Sequence, residues 1–161
     1  MKNRTLDFKL ILPKTIDNRY RGLAPAKYFF YLVVLFTIAR SLIHIFAADG
    51  GAQSIATIPL DTFSPANAAD TVIYLFAVWG LSQLLMGFVY LLAALRWRSL
   101  IPLMYVLVAL EYALRLTIGH AKPIETLGTA PGEIGNYVLV PAAVLMLILS
   151  IIRKKDETAA R

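Results

Sequence analysis

Charged and polar side chains occur inside three stretches of this sequence that are otherwise apolar. Arg40 and His44 lie in LVVLFTIARSLIHIF, and Gln83 lies in YLFAVWGLSQLLMGF. Glu111 and Arg115 lie in LMYVLVALEYALRL. A charge at bilayer depth costs at least about 2.5 kcal/mol unless it is paired or hydrated. Such groups therefore indicate either a functional site or a buried ion pair that fixes the register of the helices.

The spacing of these residues places them on one face of each helix. Three pairs are four residues apart: Arg40/His44, Gln83/Trp79 and Glu111/Arg115. Residues four apart are neighbours on a helical surface. Counted from the cytoplasmic ends, Arg40, Gln83 and Glu111 lie at roughly 18–20 Å, and their partners at roughly 24–26 Å. The sequence therefore predicts a polar layer, made of these six residues, in the outer half of the bilayer.

The charges in this layer do not balance. Glu111 can pair with Arg40 across helices or with Arg115 on its own helix, and the sequence leaves both pairings open. One carboxylate cannot neutralise two guanidinium groups, so one positive charge remains. Its partner would be Asp49, Asp70 or Glu133 from the outer loops, a lipid phosphate, or a bound anionic ligand.

Four roles for the layer follow from these residue types. A buried Arg–Glu pair often only fixes helix register and partner choice. A ligand site would use the extra positive charge to hold an anionic amphiphile. An enzyme acting on a lipid-soluble substrate would use Glu111 or His44 as acid/base and Arg40 or Arg115 as anion clamp. A small proton-coupled transporter would use Glu111 as its titrating group.

Cofactor chemistry is not predicted. The chain has no cysteine, which excludes disulfides and thiolate ligands, and we predict no metal site. Haem between His44 and His120 is a less favoured alternative, because His120 falls roughly a turn and a half above His44; a quinone is another. The motifs GxSxG, HExxH and Walker A are absent, which leaves whether the protein is an enzyme undecided.

Composition indicates a membrane protein of one domain. The chain has 161 residues, of which 58% are hydrophobic and 16% charged. Soluble domains carry about 25% charged residues, and the mean hydropathy here is +0.66. A net charge of +6 would suggest nucleic acid in a soluble chain. Because the basic residues flank apolar spans, membrane orientation explains them better, and we predict no nucleic-acid partner.

Four apolar stretches are long enough to cross a bilayer, which takes about 20 residues. We predict an all-α, four-helix transmembrane bundle over 28–152, with spans at about 28–48, 71–95, 100–119 and 134–152. A basic segment, 1–27, precedes it, and a tail, 153–161, follows. Because only four residues join the second and third spans, they should form a tight antiparallel hairpin. The fourth span has no polar group at depth and should be peripheral.

Basic residues are concentrated on one side of these spans. Seven Lys or Arg lie in residues 1–27, two in the turn at 96–99 and four in the tail, whereas the two remaining connections hold only Lys122. By the positive-inside rule this distribution predicts that both termini are cytoplasmic.

Short motifs in three of the spans are similar to those of a known family. They are Ala39-Arg40-Ser41 in the first span, Trp79-Gly80 and Met86-Gly87 in the second, and Ala113-Leu114-Arg115 in the third. With them the chain resembles the DoxX-like small four-helix bacterial membrane proteins over most of residues 28–152. The long 49–70 loop and His44 depart from the family pattern. The resemblance implies location in the bacterial inner membrane and a role as membrane subunit of an oxidoreductase system.

The leading functional prediction is a small integral membrane protein that acts as an accessory subunit or as a lipid- or small-ligand-binding bundle. Its predicted partners are membrane lipid and another membrane protein or a second copy of itself. The enzyme and the proton-coupled transporter remain the alternatives.

Overall fold

The computed structural model describes residues 4–65 and 67–154 and consists mainly of four long helices. These are α1 (Ala24–Phe46), α2 (Asn67–Leu95), α3 (Ile101–Ala121) and α4 (Pro131–Ile151). Each is long and apolar enough to cross a membrane. The prediction of an all-α fold with four such helices is confirmed.

The helices begin close to prolines. Pro25, Pro102 and Pro131 each occupy one of the first two positions of a helix, where a missing N–H leaves no carbonyl unpaired. This explains why α1 begins four residues and α4 three residues before the predicted spans. α2 also begins four residues early, at Asn67.

The helices pack as two pairs, α1 with α2 and α3 with α4. The prediction of a tight hairpin between the second and third spans is wrong, because α2 and α3 touch little beyond the turn that joins them. Gly80 and Gly87 of α2 instead face α1. A Cβ on Gly80 would lie 2.7 Å from the Cβ of His44, and one on Gly87 would lie 3.0 Å from Ile38 Cγ1. Close approach of helices in membranes favours such small residues.

Two short strands pair the first and last residues that the structure describes, a feature that the sequence does not predict. β1 (Arg4–Leu6) pairs antiparallel with β2 (Ile152–Lys154). Residues 7–23 then cross the same end of the bundle, where the backbone N–H of Asp17 donates to Ser99 Oγ at 3.0 Å. Both described ends therefore lie at one end of the bundle, called here the terminal end. Residues 1–3 of the predicted basic segment 1–27 and residues 155–161 of the predicted tail 153–161 lie outside the described residues.

The buried apolar residues concentrate towards the terminal end. Phe30 of α1 packs edge-to-face on Tyr90 of α2 and Tyr105 of α3, with ring centroids 5.8 and 5.6 Å apart. The hydroxyl of Tyr105 donates to the carbonyl of Ala26 at 2.5 Å. This core joins the two helix pairs. α4 buries only Ala143, Ser150 and Ile151, so most of its surface is exposed.

The close approach at Gly80 gives a test of the α1–α2 pairing. We expect Gly80→Ala to lower the free energy of unfolding by about 1–3 kcal/mol, because the added methyl overpacks against His44. The matched control is Gly135→Ala in α4, where a Cβ would meet nothing within 4 Å. Denaturation of both variants in the same detergent measures the difference. Equal stability of the Gly80 variant and the wild type would contradict this packing.

Candidate functional site

The glycine contact between α1 and α2 brings their polar faces together. Arg40 and His44 of α1 lie opposite Trp79 and Gln83 of α2. Arg40 Nη2 donates to Gln83 Oε1 at 2.9 Å, so the two residues predicted at one depth are hydrogen-bonded. Gln83 is only 6% exposed. This hydrogen bond is the polar link between the first two helices.

Two buried nitrogens at this link have no hydrogen-bond partner among the described residues. They are Nε of Arg40 and Nε2 of Gln83. A buried donor left without an acceptor costs about 1–3 kcal/mol. Within residues 4–65 and 67–154, these two N–H donors of the link therefore lack an acceptor.

Glu111 pairs with Arg115 on its own helix, one turn away. Of the two pairings left open by the sequence, the structure contains this one. Among the described residues, no carboxylate forms an ion pair with Arg40. The extra positive charge predicted for the layer therefore lies on Arg40.

Trp79 connects the three helices at the next level. The Cζ of Arg115 lies 4.8 Å from the centroid of its ring, and that of Arg40 lies 5.6 Å away. The ring of His44 stacks on it, with centroids 4.8 Å apart and planes tilted by 33°. Cations over an indole face are attracted by its quadrupole. One tryptophan thus holds both arginines near each other, and all six residues predicted for the layer lie in one cluster.

His44 fastens this cluster to the connection that follows α1. Its Nδ1 lies 2.7 Å from the carbonyl oxygen of Gly50, so that nitrogen carries the proton and donates it. A Cβ on Gly51 would lie 3.2 Å from the same nitrogen. Gly50 and Gly51 both have positive φ, 60° and 76°, a conformation that glycine adopts without strain. This backbone turn explains why small residues follow α1.

Asp49 organises that turn through its carboxylate. It accepts hydrogen bonds from the backbone N–H groups of Gly51, Gln53 and Ser54 at 2.8, 3.1 and 2.6 Å. Partial burial raises the pKa of Asp49, but the donors of Ser54 and Gly51 outweigh that effect and lower it to about 2. Asp49 is one of the partners that the sequence predicts for the unpaired arginine. The structure engages its carboxylate with the backbone instead.

The two histidines have separate surroundings. His120 is exposed, its Nδ1 lies 2.7 Å from the carbonyl oxygen of Leu116, and its ring faces Tyr137 of α4. His44 is 4% exposed and lies among α1, α2 and the turn at Gly50. Within the part of the chain that the structure describes, no group of three or more His, Cys, Asp or Glu is placed to hold a metal ion.

A cleft of about 380 Å³ lies beside the cluster, between α1, α2 and α3. Its lining residues are Thr37, Trp79, Ser82, Gln83, Met86, Tyr90, Leu107 and Glu111. Ser82 and Met86 are exposed, so the cleft reaches the surface of the bundle between α2 and α3. It exists because these two helices do not pack along their lengths. Its volume lies within the range of about 300–1,000 Å³ that is usual for small-molecule sites.

Several lining residues were not predicted. Tyr90 is seven residues after Gln83, Leu107 is four before Glu111, and Thr37 is seven before His44. Each therefore lies on the polar face of its helix, one or two turns from a layer residue. This periodicity was the available signal for them. The periodicity does not predict which helices pack together, and this packing decides whether the polar face borders a cleft.

No family model matches this chain, and no curated protein or solved structure matches it either. The DoxX-like resemblance stays a prediction. The fold indicates a broader class of protein than this family. Four helices of this length and apolarity, with large apolar side chains exposed along them, indicate a multi-pass integral membrane protein.

The pairing of Glu111 with Arg115 gives a test of the cluster's stability. We expect Glu111→Gln to lower the free energy of unfolding by about 1–3 kcal/mol, because it leaves a second arginine without a counter-charge. The loss measures the cost of the uncompensated positive charge that remains on Arg115. The double variant Glu111→Gln/Arg115→Gln should recover most of it. Unfolding of the single variant at the wild-type midpoint would show that the pair does not stabilise the fold.

Proposed function

We propose that this protein is an integral membrane protein that binds a lipid-soluble small molecule in the cleft between α1, α2 and α3. In this role it is a non-catalytic bundle that works alone, with a second copy, or as a subunit beside another membrane protein. The observation that carries the proposal is the buried Gln83 amide. Its Nε2 has no partner among the described residues, and its side chain lines the cleft.

A purely structural role explains this arrangement less well. A polar network that only fixes helix register satisfies its own donors and acceptors, since each unsatisfied group lowers stability. Here Arg40 and Gln83 satisfy each other in part, and donors remain unsatisfied beside a cleft. A ligand with an acceptor group would complete the network, so the cost of the unsatisfied groups becomes a contribution to binding.

The surroundings of the cleft suit a molecule that arrives through lipid. Apolar side chains of Met86 and Leu107 line the cleft together with the rings of Trp79 and Tyr90. The surface of α2 next to the cleft is apolar as well, because the exposed Leu85 and Val89 each follow a lining residue, Ser82 or Met86, by three positions. A hydrophobic molecule can move along such a surface without crossing water.

Two contacts support binding over the two alternative functions, an enzyme and a proton-coupled transporter. The Glu111 carboxylate, which an enzyme or transporter would use, borders the cleft and is engaged by Arg115. His44 is engaged through Nδ1 by the carbonyl of Gly50. Both groups thus hold the cluster together.

Filling the cleft tests the proposed function. We expect Leu107→Trp to reduce labelling by a photoreactive alkyl probe to background, because the larger side chain occupies the ligand's space. The matched control is Leu110→Trp, on the same helix at a residue that is 53% exposed and does not line the cleft. Mass spectrometry of digested protein locates the labelled residues, expected near Met86 and Leu107. Equal labelling of wild type and both variants would overturn the proposal.

We further propose that the terminal end faces the cytoplasm, as the basic residues of 1–27 and of the tail predict, and that the membrane is the bacterial inner membrane. Because the chain contains no cysteine, single cysteines can report on each side. A membrane-impermeant maleimide applied to intact spheroplasts should label Gly128→Cys and leave Lys14→Cys unlabelled. The reverse pattern would contradict this orientation.

A further inference from the structure

We infer that the cleft recognises an amphiphile with an oxyanion head, a carboxylate or a phosphate, whose oxygen atoms accept hydrogen bonds from the Gln83 amide. This inference rests on the proposed function and adds the chemical class of the ligand. Three observations carry it: the fixed direction of the Gln83 amide, the unbalanced charge of Arg40, and the apolar lining of the remaining cleft.

Arg40 fixes which end of the Gln83 amide is available. An arginine side chain has only donors, so the amide atom that it contacts must be the acceptor oxygen. That contact, from Arg40 Nη2 to Gln83 Oε1, is 2.9 Å long. The other end of the amide is the NH2 group, which has two donor hydrogens. Nε2 is buried and has no partner within the described part of the chain, so this end of the amide lacks an acceptor at the edge of the cleft that Gln83 lines.

The charge beside these donors favours an acceptor that is negatively charged. The cluster contains Arg40, Arg115 and one carboxylate, Glu111, which Arg115 engages. Glu111 also lines the cleft, and its charge is balanced by that pairing. Arg40 donates a hydrogen bond to the Gln83 amide. It forms no ion pair with any carboxylate of residues 4–65 and 67–154. One negative charge on the ligand would therefore bring the cluster to neutrality.

The other lining residues indicate what the head is attached to. Met86, Leu107 and the rings of Trp79 and Tyr90 offer an apolar surface in a volume of about 380 Å³. The hydroxyl of Ser82 already donates to the carbonyl of Val78 at 3.2 Å, so its proton is engaged within α2. An apolar chain or ring would lie along these residues, with its head at Gln83 and its remainder extending between α2 and α3.

The test compares three ligands that share one chain. Binding of hexadecanoate, hexadecyl phosphate and hexadecanol is measured with the full-length protein in nanodiscs, by displacement of the photoreactive alkyl probe. We expect at least one oxyanion to bind about tenfold or more tightly than the alcohol, because hydrogen bonds to charged groups are the stronger ones. The tighter of the two oxyanions identifies the head as carboxylate or phosphate.

The variant Gln83→Glu sharpens the comparison. It replaces the NH2 donor with a carboxylate oxygen that pairs with Arg40, so it should fold while losing the preference for an oxyanion by about tenfold. Hexadecanol binding, measured in the same variant, is the reference for this preference. The control is Gln53→Glu, which adds the same charge in the connection after α1, where Gln53 contacts Asp61. That variant should keep the wild-type preference.

The outcomes separate this inference from the proposed function. If wild-type protein binds the three ligands equally, or binds the alcohol most tightly, the head-group inference is overturned and the ligand site stands. Retention of the oxyanion preference in Gln83→Glu overturns the inference as well. If no ligand displaces the probe and Leu107→Trp does not change labelling, the proposed function itself fails.

Discussion

The hydrogen bond between Arg40 and Gln83 is the contact on which the polar centre of this protein depends. It lies within helices that are otherwise apolar, where a lone guanidinium would be costly. Gly80, one turn before Gln83, lets α2 approach α1 closely beside this bond. The same bond directs the NH2 group of Gln83 away from Arg40. The close packing of α1 on α2 thus brings together the charge of Arg40 and the NH2 group of Gln83.

The pairing of the helices determines where a ligand can be held. α1 packs with α2 and α3 with α4, and the aromatic residues Phe30, Tyr90 and Tyr105 join the two pairs near the terminal end. Away from that core, α2 and α3 leave a cleft between them. The β1–β2 pairing and residues 7–23 close the terminal end. At the opposite end, Thr57 Oγ1 donates to the carbonyl of Gly128 at 2.8 Å and ties the two long connections together.

The helices and most of the polar cluster could be predicted from the sequence, whereas the contacts between helices could not. Spans of apolar residues and a spacing of four identified the helices and the residues that cluster around Trp79, since both follow from helical geometry alone. The choice of Arg115 over Arg40 as partner of Glu111 depends on packing between helices, which periodicity does not contain. The glycines of α2 indicated a close approach, but not that α1 would be the helix approached. β1 and β2 gave no signal, because each has three residues and pairs with the distant end of the chain.

The central claim is that the cleft holds a small molecule beside Gln83. The most direct measurement is native mass spectrometry of the wild-type protein and of Leu107→Trp, both extracted gently from the source membrane. We predict that wild-type protein retains one amphiphile per chain and that the variant, with its cleft filled, does not. The same bound molecules in both proteins, or none in either, would contradict this prediction.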